Sequence, residues 1–584
     1  MLIHYFYIFK YKAIENVGIR LNGRYDYVMD TDKKVMTMSE NPNWVEGFWP
    51  EGVSTLTAIV GSNGSGKTTF MEAMLLMVEK GNDGKEVDAM IVCQDRQGEF
   101  FAYLPEGREC KIEGLSVEPK SNPPKIELFY YSSYFHTNIS VTKPRTGELQ
   151  GVYNASDTWR LVKDLLEYSN NDTISRTRDL HYHIDTMKAQ DGNRIVQLIA
   201  DKELRNCLPK NALPEYILIN PNHSGYNYFT SHPNDKFKLL DVFAMSPLGD
   251  KEQYLAGIVY SCFTNIAAQF ESVADAIFDE QTEWEKLYNK TKNASTALRT
   301  LNFNTNLTGT YLKQLIGIVD FLRDNFEYDM IEDTLYLKLE SAKEETITQL
   351  IHYFQAEEFI VAHYFDLSFS RTTADTTQLS SGEYDLLKLF SRIYDAVRLS
   401  PEKFANLESP ALVLLDEAEN SYHPEWQRRF VKMLTDFLSA LFMAYNDVPE
   451  FQVVLTTHSP ILLSDIPVVC TNYLRREGGG GKIMLHKAMS ETFGANIYDL
   501  YKDSFFMEDG LMGEYAYEWI ERLRNQIDAE NVWSDTKADG YIQMIERIGD
   551  EVIRRYLFQL LEKKNKPSMV AYYKRKLQEL EGGK

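Results

Sequence analysis

Short apolar runs bounded by turn residues fill the first part of the chain and predict strands. Clear examples are residues 2–9, 56–60 and 126–131. Residues 89–93 and 100–104 flank a polar turn, which is the pattern of a β-hairpin. A β-rich lobe is therefore expected at the start of the chain.

The spacing of apolar residues changes between residues 151 and 355. Intervals of three and four, the period of amphipathic helices, occur in residues 159–168, 253–288, 311–326 and 344–363. No apolar heptad is sustained over many turns, so a long coiled-coil arm is not expected. This block is predicted to be a mainly helical insertion.

Strand-like runs return after residue 356. Residues 365–369 predict a strand, and the next apolar positions have helical spacing: Leu386, Leu389, Phe390, Ile393 and Val397. The uninterrupted apolar run 411–415 is typical of a parallel strand covered on both faces, and 453–455 repeats it. These patterns predict an α/β fold with a mixed sheet flanked by helices.

The same patterns divide the chain into four parts. Residues 1–150 are expected to form an N-terminal lobe and residues 151–355 the helical insertion. Residues 356–505 are expected to form a C-terminal lobe that completes the sheet. Residues 506–584 have helical spacing and predict a helical C-terminal tail.

A phosphate-binding loop is predicted between the strand at 56–60 and a helix at 70–76. The stretch fits G-x-x-x-x-G-K-[ST] and consists of Gly61, Ser62, Asn63, Gly64, Ser65, Gly66, Lys67, Thr68 and Thr69. Glycines let the backbone N–H groups turn toward an anion, and the helix N-terminus adds partial positive charge. An accidental match is disfavoured because the loop follows a strand and precedes a helix.

Residues at the ends of the two later strands complete a predicted ATP site. Lys67 is expected to reach the β- and γ-phosphates, while Thr68 and Asp416 are expected to hold Mg²⁺. Glu417 would orient and polarise the attacking water. His458 follows the next strand and is assigned as a sensor of the γ-phosphate. The predicted cofactors are ATP and Mg²⁺.

Charge and composition exclude several classes of protein. The formal charge of −23 argues against non-specific coating of nucleic acid, which requires a surplus of Lys and Arg. The five cysteines form no C-x-x-C pair, so a disulfide framework or zinc site is not expected. No apolar run approaches the ~20 residues of a membrane span. A cytoplasmic protein without membrane contact is predicted.

Taken together, the motifs resemble the ABC-type ATPase heads of the SMC and RecF class. Residues 61–69 correspond to Walker A, residues 412–417 to Walker B and His458 to the switch histidine. The signature corresponds to Ser380, Ser381, Gly382 and Glu383, and the D-loop to residues 420–423. The resemblance implies a homodimer or higher oligomer formed through the heads, in which one signature contacts the γ-phosphate bound to the other head.

Two departures from the transporter pattern stand out. Ser381 and Glu383 replace a glycine and a glutamine of the transporter signature, which fits SMC-like heads better. No Q-loop glutamine is evident, and the corresponding strand ends in Ser132 and Ser133.

Three longer stretches resemble a narrower group. Residues 416–424, 457–467 and 492–500 are similar to the ATPases of bacterial anti-phage systems, particularly PtuA of Septu and its retron-associated relatives. That resemblance implies a sensor or regulator acting beside a separate nuclease subunit of the HNH type, like PtuB.

The sequence is also compatible with other functions. A RecF- or SMC-like role in DNA repair would involve contact with DNA or RNA, and the basic residues near 563–576 provide a candidate surface. An OLD-type nuclease would need a Toprim domain, with a Glu followed by D-x-D. The tail offers only Asp535 and Asp539, which have three residues between them where D-x-D has one. A transporter subunit is the weakest alternative because it has no counterpart of the insertion or tail.

Overall fold

The computed structural model describes most of the 584 residues. The described ranges are 1–80, 87–105, 107–120, 126–133, 152–159, 180–223, 229–231, 250–304, 306–355, 365–374, 378–399, 409–476, 481–486, 490–504 and 512–582. The chain divides into two compact units, Met1–Phe506 and Met507–Lys584.

The strands of the described residues all lie in the first unit. They are β1 (Leu2–Tyr11), β2 (Ile14–Arg20), β3 (Tyr25–Asp30), β4 (Val35–Glu40), β5 (Val53–Gly61), β6 (Asp88–Gln94), β7 (Phe100–Tyr103), β8 (Lys111–Glu113), β9 (Val117–Lys120), β10 (Leu128–Ser132), β11 (Val152–Asn154), β12 (Tyr216–Pro221), β13 (Glu327–Asp329), β14 (Thr334–Lys338), β15 (Phe365–Ser370), β16 (Ala411–Asp416), β17 (Phe451–Thr457), β18 (Thr471–Arg476) and β19 (Ile483–His486).

The helices occur in both units. They are α1 (Lys67–Lys80), α2 (Leu180–Ala200), α3 (Lys202–Arg205), α4 (Lys251–Gln269), α5 (Ala274–Thr291), α6 (Ala294–Thr300), α7 (Asn306–Asn325), α8 (Glu344–Gln355), α9 (Ser381–Tyr394), α10 (Pro424–Ala444), α11 (Pro460–Leu463), α12 (Ile497–Ser504), α13 (Glu514–Ala529), α14 (Asp535–Glu546), α15 (Glu551–Lys564) and α16 (Lys566–Gly582).

A seven-stranded sheet in the order β11-β10-β16-β17-β5-β18-β19 forms the centre of the first unit. Neighbouring strands are parallel except at the edge, where β19 runs antiparallel to β18. This order places the strand before the phosphate loop between β17 and β18. The predicted mixed sheet flanked by helices is confirmed.

Both faces of this sheet are buried, as its apolar runs predict. Along β16, Leu412 and Leu414 join one core with residues of α1 such as Phe70. The alternating residues Val413 and Leu415 join the other core with the aliphatic and aromatic side chains of α9 and α10. Because successive strand residues point to opposite faces, a continuous apolar run is required here.

Two smaller sheets complete the N-terminal part. One has the order β2-β1-β6-β7-β9, and the other has the order β3-β4-β8. The predicted hairpin exists as the antiparallel pair β6 and β7. The strand predicted at residues 2–9 extends to Tyr11.

Residues 151–355, which were predicted to be mainly helical, also contain strands. Helices α2 to α8 lie in this block, and the segment 253–288 forms two helices separated at Phe270–Val273. Strands β13, β14 and β12 form a four-stranded antiparallel sheet with β15, which follows the block in sequence. Most of segment 159–168 and the end of segment 344–363 lie outside the described residues.

The second unit contains helices α13 to α16 and no strand in its described residues. Leu523, Ile527, Ile545 and Leu557 contribute to its apolar core. The tail is therefore helical, as the spacing predicts. In neither unit does any described helix have the length and apolarity needed to cross a membrane.

Candidate active site

The phosphate loop connects β5 to α1, as its sequence predicts. Gly64 and Gly66 have φ angles of 76° and 96°, in the left-handed region that glycine adopts without strain. A Cβ on Gly64 would meet no atom within 4 Å, so the loop is open at that point. The hydroxyl of Ser65 is buried and has no hydrogen-bond partner. This loop can therefore offer further donors to an anion.

Lys67 lies at the start of α1 and is buried apart from 5% of its side chain. Its Nζ donates to the carbonyl oxygen of Gly61 over 3.1 Å and lies 2.6 Å from Nε2 of His458. Glu417 Oε1 is 3.6 Å from the same Nζ. Burial lowers the pKa of Lys67, while the charges of Glu417 and Asp416 oppose that shift.

Asp416 is the last residue of β16 and lies beside the phosphate loop. Thr68 Oγ1 is 3.4 Å from Asp416 Oδ1, and Thr456 Oγ1 donates to the same oxygen over 2.6 Å. In the parallel pairing of β10 with β16, Ser132 is the register partner of Asp416. A threonine hydroxyl and a carboxylate thus meet where the loop enters its helix.

Glu417 adopts a conformation that is unusual for its residue type, with a φ of 49°. Its backbone N–H donates to Thr456 Oγ1 over 3.0 Å, and Asn420 Nδ2 donates to its Oε2 over 2.8 Å. Burial opposes ionisation, but hydrogen bonds from His458 and Asn420 outweigh it and lower the pKa of Glu417 to about 2. The side chain is therefore a carboxylate at neutral pH.

His458 cannot satisfy both of its neighbours at once. Its Nε2 lies 3.1 Å from Glu417 Oε1 and 2.6 Å from Lys67 Nζ. Nε2 accepts from the lysine only if its proton is absent, and donates to the carboxylate only if its proton is present. Another acceptor for Lys67, such as a phosphate oxygen, would resolve this competition in favour of the His458–Glu417 pair.

These residues fit Mg²⁺ and a nucleoside triphosphate. The open glycine loop, the unpartnered Ser65 hydroxyl and buried Lys67 suit the phosphates. Thr68 and Asp416 would hold Mg²⁺, with phosphate oxygens and water completing the shell. In the described residues no group of three or more His, Cys, Asp or Glu side chains could hold a metal ion by itself.

The signature lies at the N-terminus of α9. Ser380 caps this helix, its Oγ accepting from the N–H of Glu383 over 3.4 Å while the Glu383 carboxylate accepts from the Ser380 N–H over 2.9 Å. A Cβ on Gly382 would come within 2.9 Å of the carbonyl oxygen of Ser421 in the D-loop. Ser380, Ser381 and Ser421 are exposed. Signature and D-loop therefore form one surface of the unit.

The structure brings some predicted site residues together and not others. Lys67, Thr68, Asp416, Glu417 and His458 converge on the phosphate loop. The hydrogen bonds and ion pairs described for residues 380–383 do not include any residue of 61–69. Within one chain, the signature is thus not bonded to the phosphate loop.

Sequence reasoning missed several supporting residues. Thr456 bonds both Asp416 and the Glu417 backbone, and Thr457 donates to the buried carboxylate of Glu419. Burial raises the pKa of Glu419 to about 7. The two threonines directly precede His458, so hydroxyl groups at the end of a buried strand were the available signal. The sequence placed Asn420 in the predicted D-loop, but nothing in it indicated the hydrogen bond to Glu417.

Half of the basic cluster near the chain end is paired within the second unit. Lys564 contacts Asp528 at 3.1 Å, Arg575 contacts Asp539 at 3.3 Å and Lys576 contacts Glu546 at 3.3 Å. These ion pairs reduce the net positive charge available to nucleic acid. The Asp539 considered for a nuclease site is one of the paired acids.

Comparison with known proteins supports an ATPase domain. Residues 323–464 match the family described as "AAA domain, putative AbiEii toxin, Type IV TA system". This match includes the signature, Asp416, Glu417 and His458.

Three curated relatives are similar over different lengths. Endonuclease GajA of Bacillus cereus (strain HuB5-5) is 21% identical over 70% of this chain and 52% of its own length. The retron Vc95 probable ATPase of Vibrio cholerae serotype O1 biovar El Tor is 22% identical over 78% of this chain and 73% of its own length. Protein ea59 of Escherichia phage lambda is 31% identical over 22% of this chain and 21% of its own length. The chain therefore spans about half of GajA.

Two solved structures align with most of the chain. An SMC head bound to the C-winged helix domain of ScpA covers 84% of it and 98% of that head, with 10% identity and a TM-score of 0.24. The recombination mediator protein RecF-ATPrS covers 83% of it and 97% of that protein, with 11% identity and a TM-score of 0.23. Because both TM-scores are below 0.5, neither structure supports an assignment of the fold. The strand order and the motifs of this chain resemble those of an ABC-type ATPase head of the SMC/RecF-like class.

Proposed function

We propose that this chain binds ATP with Mg²⁺ and hydrolyses it to ADP and phosphate. The observation that carries the proposal is the convergence of Lys67, Glu417 and His458 within 2.6 to 3.6 Å of one another. They lie beside the Thr68–Asp416 pair at the mouth of the phosphate loop. This combination supplies phosphate binding, metal binding and a base in one place.

Each side chain has a separate task in this reaction. Lys67 moves from its contacts with His458 and Glu417 to the phosphates, where its charge opposes the charge that develops on transfer. Glu417 then orients the attacking water as a carboxylate, held by Asn420 on one oxygen and His458 on the other. Mg²⁺ neutralises charge on the β- and γ-oxygens when bound.

The signature is proposed to act on the nucleotide of a second copy. Its capped helix N-terminus and the adjoining D-loop are exposed on one surface. A helix N-terminus offers partial positive charge and unpaired N–H groups to an anion. Two heads facing each other would then enclose two ATP molecules, each between Lys67 of one copy and Ser380 of the other.

The biological function is proposed to be regulation in a bacterial anti-phage defence system. The sequence resemblance to PtuA-type ATPases supports this, as does similarity to the retron Vc95 probable ATPase over 78% of the chain. In this proposal the ATPase senses or gates, and a separate effector nuclease, best matched by an HNH subunit, cuts nucleic acid.

A nuclease within the same chain is the second candidate, because one relative is described as endonuclease GajA. Nearly half of GajA lies outside the matched region. The described part of the second unit is helical, whereas a Toprim site presents its acids on a sheet. Asp535 and Asp539 lie on α14, and Asp539 is paired with Arg575. These features favour the regulator.

The chemistry is tested by two substitutions. Glu417→Gln should retain ATP binding and lower kcat by ~10²-fold or more, because the water loses its base. Lys67→Ala should lose binding itself. Steady-state ATPase assays and equilibrium binding of a labelled ATP separate these effects. Wild-type turnover by Glu417→Gln would overturn the assignment.

Action in trans is tested by mixing two inactive variants. Ser380→Arg damages the signature and Lys67→Ala damages the phosphate loop. A mixed dimer should hold one intact site and one doubly damaged site, so part of the activity returns. Confirmed mixed dimers without ATPase activity at any ratio would contradict the proposal.

The nuclease alternative is tested with the purified chain. With ATP and either Mg²⁺ or Mn²⁺ it should leave DNA intact. Cleavage that persists through stringent purification and disappears in Asp535→Asn or Asp539→Asn would favour the nuclease instead.

A further inference from the structure

The signature contains a carboxylate next to the position proposed for a phosphate. Glu383 is the third residue of α9, and its side chain is only 13% exposed. A carboxylate at this position stabilises its own helix through the capping box and the helix dipole. The same negative charge repels a phosphate that approaches the same helix end. A head that binds phosphate here therefore needs to neutralise Glu383.

Arg371 supplies that neutralisation in the structure. It follows β15, and its Nη2 donates to Oε1 of Glu383. The other oxygen, Oε2, accepts from the backbone N–H of Ser380 over 2.9 Å. Each oxygen of the carboxylate thus has a donor, and its charge is paired with a guanidinium 44% exposed.

Arg371 is itself fixed by a second contact. The same Nη2 donates to the carbonyl oxygen of Asn211, in the loop between α3 and β12. This places the guanidinium between the block that precedes the C-terminal lobe and the first turn of α9. The side chain is therefore oriented from two sides.

This arrangement also determines which partner the Ser380 hydroxyl can bind. Its Oγ accepts from the Glu383 N–H, which uses a lone pair and leaves the hydroxyl proton available to donate. A carboxylate freed from Arg371 could rotate and accept that proton, and its charge would be unpaired. Arg371 therefore keeps the Ser380 hydroxyl available for a phosphate oxygen.

We propose that Arg371 is a positioning residue of the signature that neutralises Glu383 so that the γ-phosphate bound to a second copy can approach Ser380. The inference rests on the proposed function, because it assumes that the signature acts in trans. Glutamine at position 383 would need no such partner, so the arginine and the glutamate are expected to act as a pair.

The alternative is that Arg371 and Glu383 form a surface ion pair that contributes only to folding. Exposed pairs are commonly worth about 0–1 kcal/mol of stability and have no effect on ligand affinity. Under that alternative, removing Arg371 leaves KM for ATP unchanged whether or not residue 383 carries a charge. Under our proposal the effect depends on that charge, which makes the two distinguishable.

A double-mutant cycle in the full-length chain measures this dependence. ATPase activity is recorded against ATP concentration for wild type, Arg371→Ala, Glu383→Gln and the double variant. Arg371→Ala alone should raise KM for ATP roughly tenfold, in line with the loss of a charge-assisted contact. In the Glu383→Gln background the same change should raise KM less than about threefold.

Ionic strength provides a second readout. The KM increase caused by Arg371→Ala should shrink between 50 and 500 mM NaCl, because salt screens the repulsion between the unpaired Glu383 carboxylate and the phosphate. Arg371→Lys should restore part of the affinity, since lysine retains the charge but lacks the planar guanidinium. Should Arg371→Ala not fold, Arg371→Gln replaces it in the cycle, as it retains a donor for the Asn211 carbonyl.

The matched control is Arg555→Ala in the second unit. Arg555 is also an exposed arginine paired with a glutamate, Glu551. Its removal should leave KM for ATP unchanged. The inference is overturned if Arg371→Ala raises KM for ATP by the same factor with glutamate and with glutamine at position 383. It is also overturned if Arg371→Ala alone leaves KM at the wild-type value. If Ser380→Arg also has no effect on ATPase activity, the proposed trans action fails instead.

Discussion

Asn420 in the D-loop donates a hydrogen bond from Nδ2 to Oε2 of Glu417 over 2.8 Å. It thus links the residue proposed to orient water to the loop that adjoins the signature through Ser421. Because Glu417 has a φ of 49°, its backbone conformation persists only where surrounding contacts hold the residue in place. A movement of the D-loop on head pairing would therefore reach Glu417 directly.

We expect Asn420→Ala to lower kcat for ATP hydrolysis by about tenfold, because Glu417 loses one of its two side-chain donors. ATP binding should change little, since the phosphate loop is intact. Steady-state kinetics and nucleotide binding are the measurements. Asn531→Ala, which removes an exposed amide in the second unit, is the control. A kcat within twofold of wild type would contradict the importance of this contact.

Gly382 is expected to tolerate no side chain. Its added Cβ would lie 2.9 Å from the Ser421 carbonyl oxygen, so Gly382→Ala must push the first turn of α9 away from the D-loop. Overpacking of this kind costs about 1–3 kcal/mol of stability and should also reduce ATPase activity. Gly317→Ala in α7 is the control, because its Cβ would make only an ordinary contact of 3.5 Å with Tyr353. Equal thermal unfolding temperatures for both variants would be inconsistent with this geometry.

A buried ion cluster beneath the signature helix is expected to be essential for folding. Arg392 is fully buried and donates to both oxygens of Asp191 over 2.9 and 2.6 Å and to Asp157 over 2.6 Å. Arg392→Met would leave the buried Asp157 with Lys388 and the buried Asp191 with Arg194 as their remaining cations, a loss of about 3–5 kcal/mol. Chemical denaturation of the full chain tests this, with the exposed Lys432→Ala as control. A loss below 1 kcal/mol would mean that Lys388 and Arg194 compensate the two acids without Arg392.

Glu419 is expected to make stability depend on pH. Burial raises its pKa to about 7, against a value near 4.3 in an unfolded chain. The native state therefore retains a proton that the unfolded state releases, and its stability falls as pH rises from about 4.5 to 7. Glu419→Gln removes this effect. The unfolding temperature of this variant, relative to that of wild type, should therefore increase from pH 5 to pH 8. The exposed Glu345→Gln should show no such trend, and a constant difference for Glu419→Gln would contradict the assignment.

The central sheet could be predicted because its strands are continuous apolar runs. Residues 411–415 must be buried on both faces, and the structure places alternate residues in two cores. The phosphate loop was evident for a similar reason, since its glycines, lysine and threonine occur at fixed spacing. The convergence of Asp416 and Thr68 follows from the parallel sheet, whose strand ends meet at one edge.

The remaining features depend on contacts between residues far apart in sequence. Nothing in residues 365–369 indicates that β15 pairs with β12, about 150 residues earlier, because strand partners leave no local trace. The contact between Arg371 and Glu383 is similarly invisible, as a helix cap alone accounts for the Ser–Glu spacing. Periodicity along one segment therefore predicts elements and burial but not their partners.

The position of β5 in the central sheet has a consequence for synthesis. Its two neighbours are β17 and β18, so the strand that leads into the phosphate loop has no sheet partner until β17 has been made. At ~5–20 residues per second, a gap of roughly 400 residues delays that pairing by some 20–80 s on the ribosome. A chain released before β16 would carry a phosphate loop without Asp416 and Glu417. Such incomplete copies therefore lack the carboxylates that are proposed to bind Mg²⁺ and to orient water.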